Sequence, residues 1–223
     1  MRPVLEVPGV IVAGSEIPNL LEVDAASTLV VSEDVDIAVP VSAVDRVRRA
    51  LALVEGFSRS SEEPSVYLPS DEVRLEVNFI GVDEAMTSLD ASYVHSDPEL
   101  PLLVFGALAL LLPPRFIELG DLRVPVASTS GLILEKLMTE RSGRKGDRDL
   151  LVVAGLLQVA TDRDLAELVE RAKQLRQDLR DTVKSNLAIL SLIDAATSMP
   201  DPRASREKVA ALLAALEKGE RDG

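Results

Sequence analysis

The sequence predicts an α+β protein: a mixed sheet with flanking helices, followed by a helical C-terminal lobe. Three observations carry this expectation. Short apolar or alternating runs, such as residues 10–13 and 73–80, have the period of strands. Gly120-Asp121, between apolar runs at 116–119 and 122–126, is a hairpin signal. Beyond residue 128 the apolar spacing is helical throughout. The expected division is an α+β domain over 1–128 and a helical domain over 129–223.

In chain order, residues 10–13 make a buried-type strand stopped by Gly14-Ser15. Ile17, Leu20, Leu21 and Val23 give 16–24 the apolar face of a short helix, with Pro18 tolerated in its first turn. A second strand spans 28–39. Ser42 is the expected N-cap of a helix over 42–54, whose Val44, Val47, Leu51 and Val54 share one face. Strand patterning returns at 66–68 and 73–80, with Asp71-Glu72 near the turn. After the hairpin come helices at 130–141 and 147–159, then one long charged amphipathic helix over 164–190. Pro200-Asp201-Pro202 breaks the chain before a last helix at 205–218, and 219–223 are expected to fray.

Hydrophobic residues make up 47% of the chain and aromatics 3%, with no Trp, so the core must be aliphatic. The absence of cysteine excludes disulfides, thiolate metal sites and a cysteine nucleophile. The single histidine, His95, excludes a multi-histidine metal cage; in the polar turn-like segment 93–98 it reads as a surface-loop residue rather than a base. A net charge of −13 repels nucleic acid and anionic membranes unless basic residues cluster, so broad DNA binding is not expected. The longest apolar run, 100–112, contains Pro101 and Gly106 and falls short of the ~20 residues a membrane helix needs. The N-terminus lacks the pattern of a signal peptide, and the expectation is a soluble, cytoplasmic protein with no membrane partner.

Asp34 and Asp36 are the residues of greatest chemical interest. On a strand they point to one face, among valines and isoleucines, and repel each other unless water or a cation lies between them. Mg2+ is the usual hard cation for such a pair, and it keeps positions for water and substrate phosphates. A solvated, inert pair at the exposed end of a strand is the alternative that the pair alone leaves open. Around it stand further groups. A Gly14-Ser15 turn exposes backbone N–H groups and a hydroxyl to phosphate oxygens. Glu76 and Asn78 share one face of a later strand, Lys136 lies in a helix, and Arg141, Arg144, Lys145 and Arg148 form a local basic cluster able to neutralise a triphosphate. Each has a structural counterpart: Gly14 as a strand end, Ser15 as an N-cap, Lys136 as a solvated lysine, Arg148 with Asp149 as a local pair, the basic cluster as a helix C-cap.

Taken in order, Val12-Ala13-Gly14-Ser15, then Ser32-Glu33-Asp34-Val35-Asp36-Ile37, then Leu75-Glu76-Val77-Asn78-Phe79, the chain resembles the nucleotidyltransferase superfamily of DNA polymerase beta-like fold. Glu135-Lys136-Leu137 followed by Lys145-Gly146-Asp147-Arg148-Asp149-Leu150 is similar to its toxin-type abortive-infection branch. The resemblance covers residues 10–157. It implies a nucleotidyltransferase-like mixed sheet, with Gly14, Ser15 and Ser32 on the nucleotide phosphates. Asp34 and Asp36 would hold Mg2+, and Lys136, Arg141, Lys145, Arg148 and Asp149 would complete the nucleotide site. It further implies transfer of a nucleotide from a nucleoside triphosphate to a hydroxyl of an RNA, a protein or a small molecule, with a cognate antitoxin as protein partner. The chain departs from the pattern at the third carboxylate, where Asn78 stands; Glu76 shares its strand face but lies one residue pair away, ~6.5 Å. Two other readings stay open: a catalytically degenerate domain that binds a nucleotide or a partner, and an unrelated α+β protein with a chance Asp-x-Asp.

Overall fold

The computed structural model describes residues 1–21, 34–71, 75–138, 144–197 and 200–221, the side chains of 144, 145 and 219–221 excepted. The expected site residues Ser32 and Arg141, and the side chain of Lys145, lie outside that set, as does the first half of the strand expected over 28–39. The chain divides into two compact units, Met1–Ile17 with Ser32–Ser128, and Pro18–Val31 with Thr129–Gly223.

The first unit is a mixed sheet with small helices. Its elements are α1 (Arg2–Leu5), β1 (Ile11–Ala13), β2 (Asp34–Pro40), α3 (Val44–Leu51; α2, Ile17–Leu21, belongs to the second unit from Pro18 on), β3 (Phe57–Arg59), β4 (Val66–Pro69), β5 (Glu76–Val82), β6 (Ser92–His95), β7 (Leu102–Phe105), β8 (Arg115–Leu119) and β9 (Leu122–Val126). The strands run in the order β3-β4-β5-β2-β1-β9-β8, with β7 joining the end of β5 and β6 joining β7. β2 is parallel to β5, and β1 is antiparallel to β2 but parallel to β9. The result is the mixed α+β architecture expected from the sequence.

Alternation decides the two faces of this sheet. Ile37, Val39, Val77 and Phe79 point to one side, where Val44, Val47, Ala50 and Leu51 of α3 cover them. Tyr67, opposite Val77 in register, meets Phe79 edge-on at 5.3 Å between ring centroids. The other side carries Asp34 and Asp36 of β2 and Glu76 and Asn78 of β5. The hairpin signal is realised as β8–β9, with Gly120 at φ +61.

Three strands went beyond the sequence expectation. β3, β6 and β7 are three or four residues long, with no continuous apolar run or clean alternation across β3 and β6, and β7 lies inside a longer apolar run that contains Pro101 and Gly106. The 92–95 segment around His95, expected as a loop, pairs antiparallel with β7. The apolar run 100–112 becomes β7 and a 3-10 stretch, Gly106–Leu111, rather than one element.

The second unit is helical: α4 (Thr129–Met138), α5 (Arg144–Val159), α6 (Asp162–Lys173), α7 (Gln177–Leu190), a 3-10 turn (Pro202–Ser205) and α8 (Arg206–Arg221). α4 is buried nearly all round and packs against α5, α6 and α7, as a helix apolar on most faces must. The single helix expected over 164–190 is two helices. The break falls at 174–176, where Leu175 turns inward, 7% exposed. Helix ends here are closed by side chains from other helices: Lys208 Nζ donates to the carbonyls of Leu157 and Ala160 at 2.5 and 3.0 Å, and Asn186 Nδ2 to that of Leu137 at 2.7 Å.

Candidate functional site

Strand register brings the acidic pair and its neighbours together. Asp34 stands opposite Glu76, and Asp36 opposite Asn78, on parallel β2 and β5. Asp36 also faces Ala13 on antiparallel β1, the residue just before the Gly14 turn. The carboxylates sit at the half-buried N-terminal end of β2, before the strand plunges into the core at Ile37. Their same-face placement is as the alternation required.

Gly14 is held by two independent constraints. Its φ is +85, a region that L side chains rarely adopt. A Cβ built there would lie 2.5 Å from Asp36 Oδ2. The Asp36 carboxylate therefore packs directly on the turn, and only glycine leaves it room. Ser15 follows, half-buried, at the turn's exit.

Asn78 takes a role that its sequence position does not reveal. Its Nδ2 donates a hydrogen bond to Asp34 Oδ2 at 2.7 Å. Asn78 Oδ1 is buried and has no hydrogen-bond partner among the described residues. The bond ties the Asp34 side chain to β5 and fixes its orientation. Nothing local signals this pair, whose members are 44 residues apart and meet only through the β2–β5 register.

In the second unit, Lys136 of α4 is 8% exposed and its Nζ lies 3.3 Å from Asp149 Oδ1 of α5. It is not the solvated lysine that its place between Glu135 and Leu137 allowed. Asp149 likewise pairs across two helices, and its chain neighbour Arg148 is half-buried on α5.

Among the described residues, no group of three or more His, Cys, Asp or Glu side chains is placed to hold a metal ion. What this face of the first unit offers is Asp34, Asp36 and, opposite Asp34, Glu76, with the Asn78 amide and a tight turn. That set suits one Mg2+, which takes one or two carboxylates and fills its remaining positions with water and substrate phosphates.

No family model matches this chain, and no curated protein matches it. Among solved structures, it is similar to an antigenic nucleotidyltransferase-like protein from Paracoccidioides brasiliensis, at 15% identity and a TM-score of 0.41, over 78% of this chain and 84% of that one. It is also similar to a candidate nucleotidyltransferase from H. pylori, at 14% identity and a TM-score of 0.38, over 100% of this chain and 92% of that one. Likeness this weak says nothing of what the chain does, and the chemistry rests on its own residues.

Proposed function

We propose that this chain is a Mg2+-dependent nucleotidyltransferase that takes a nucleotide from a nucleoside triphosphate and passes it to an acceptor on an RNA, a protein or a small molecule. One observation carries the reading: the Asp36 carboxylate packs on the positive-φ Gly14 turn, with Asp34 on the same strand face. A positive-φ turn presents backbone N–H groups suited to phosphate oxygens, and two carboxylates beside it attract the cation that accompanies a triphosphate. Asp34 and Asp36 would hold Mg2+, whose part is to polarise the phosphates and offset their charge. The chain's own residues bind and orient: Gly14 and Ser15 seat the phosphates, and Asn78 fixes the rotamer of Asp34. The phosphate-side roles of Lys136, Arg148 and Asp149, and a cognate antitoxin as partner, belong to the same proposal by resemblance.

Isothermal titration with each of the four nucleoside triphosphates in Mg2+ tests it. Binding of at least one, abolished by Asp34→Ala, is the expected result. No binding of any of the four at millimolar concentration would sink the proposal.

Asn78 itself favours a second reading, a module that binds nucleotide or a partner without transfer. An amide is a poor general base, and here it spends its donor on Asp34. If Asn78→Asp creates transfer activity that the parent chain lacks, this second reading stands.

A further inference from the structure

Asn78 limits what the site can hold. A carboxylate only accepts hydrogen bonds, so the amide must turn Nδ2–H toward Asp34 Oδ2 and Oδ1 away from it. Position 78 thus presents a donor, not a lone pair, beside Asp34. In nucleotidyl transfer with two cations, one steadies the leaving phosphates and the other makes the attacking hydroxyl nucleophilic. Sharing two cations takes at least three converging carboxylates, and Glu76, though opposite Asp34 in register, does not join Asp34 and Asp36 in a set placed to hold metal among the described residues. A neutral hydroxyl attacking beside Asn78 meets an amide that takes no proton.

Building on the nucleotidyltransferase reading, we propose that this site holds one divalent cation, not two. We propose with it that the acceptor arrives as an oxyanion, a phosphate monoester or a carboxylate, instead of the neutral hydroxyl that the resemblance implies. An oxyanion already carries its attacking electron pair, so it needs no base, which the Asn78 amide cannot be. The second Nδ2–H of Asn78 is a donor suited to an oxyanion. In the step, an acceptor oxygen places its electron pair on the α-phosphorus of the triphosphate. The bond from that phosphorus to the bridging oxygen breaks, and its electrons leave with pyrophosphate. The acceptor loses no proton, and the product is an anhydride.

The experiment uses the full chain and two small probes. Mn2+ bound in the presence of each α,β-methylene nucleoside triphosphate is counted by electron paramagnetic resonance. One ion per chain is expected, and two for Asn78→Asp. Separately, radiolabelled inorganic phosphate is supplied with nucleoside triphosphate and Mg2+. Label is expected to enter as the β-phosphate of a nucleoside diphosphate, at a rate about tenfold or more above nucleotide transfer to glycerol, with Asn78→Asp narrowing that ratio. Two Mn2+ ions on the parent chain would overturn the proposal. So would glycerol reacting as fast as phosphate, or no phosphate incorporation by a chain that binds nucleotide. A chain that binds no nucleotide at all instead defeats the underlying transferase reading. Since the parent chain alone decides the matter, misfolding of Asn78→Asp leaves the test intact.

Discussion

At Gly14 the backbone and the site make the same demand, so a single methyl group tests both. Gly14→Ala adds the cost of a positive φ, ~1–2 kcal/mol, and a Cβ that Asp36 Oδ2 must retreat from. Expected are a urea midpoint lowered by a destabilisation of that size and a loss of nucleotide affinity larger than the stability change explains. Wild-type affinity in a folded Gly14→Ala chain would show that the turn does not seat phosphate. Lys136 and Asp149 invite a different measurement. Removing one partner of a buried ion pair strands the other charge, at about 3–5 kcal/mol, whereas replacing both with apolar residues is close to neutral. Asp149→Leu, which strands the Lys136 charge, should therefore destabilise strongly and Lys136→Met with Asp149→Leu far less, a coupling that a denaturation double-mutant cycle reads directly. The sequence already placed Asp34 and Asp36 on one face, because strand alternation is local. It was silent on Asn78 with Asp34, and on Lys136 with Asp149, because both pairs are made by register and helix packing between distant segments.

Elements were legible where the chain punctuates itself. Gly120-Asp121 marked the β8–β9 hairpin, and the spacing of Val44, Val47 and Leu51 marked the buried face of α3. The α6–α7 boundary has no Pro or Gly, so nothing in the local composition separates the two helices. Tertiary contacts make the break instead. Leu175 is buried, and Arg180 reaches back from α7 to donate from one guanidinium nitrogen to the carbonyls of Lys173 and Leu175, at 3.0 and 2.9 Å. These are carbonyls that the end of α6 leaves without helical partners. Arg180→Ala should cost about 1–2 kcal/mol and speed amide hydrogen exchange over residues 171–177 while α5 exchanges as before. Unchanged exchange over that segment would mean the break is fixed by Leu175 alone. At its other end α6 is closed by a capping box: Asp164 N–H donates to Thr161 Oγ1, and Thr161 N–H to the Asp164 carboxylate.

Charge acts on the molecule as a whole, and it pulls stability in two directions as pH falls. With 37 acidic and 24 basic residues, the chain repels itself at neutral pH, and titration toward its pI of about 4.6 relieves that repulsion. Against this stand carboxylates that the fold keeps ionised. Burial pushes the Asp97 carboxyl up, but the N–H groups of Glu99 and Leu100, and then Arg48, outweigh it and hold it below its ordinary value. Hydrogen bonds from Arg2, Arg176, Lys184 and Arg203 lower Asp121, Asp178, Asp181 and Asp201 in the same direction. A carboxyl depressed on folding contributes stability that is present above its unfolded value, 3.8, and is lost as pH falls through the lower folded value. The exposed pairs contribute little, so Asp97, which ties its loop to Arg48 of α3, carries most of this acid limb. The melting temperature at low salt should therefore rise from pH 8 toward pH 5 and fall below about pH 4. Adding salt to about 0.5 M should flatten the rise by screening, yet leave the acid limb in place, because the Asp97 bonds are short-range. Asp97→Asn should lower stability at pH 7 and shrink the loss between pH 4 and 3, as followed by the circular dichroism of thermal melts. An acid limb as steep in Asp97→Asn as in the parent would assign it to the other carboxylates.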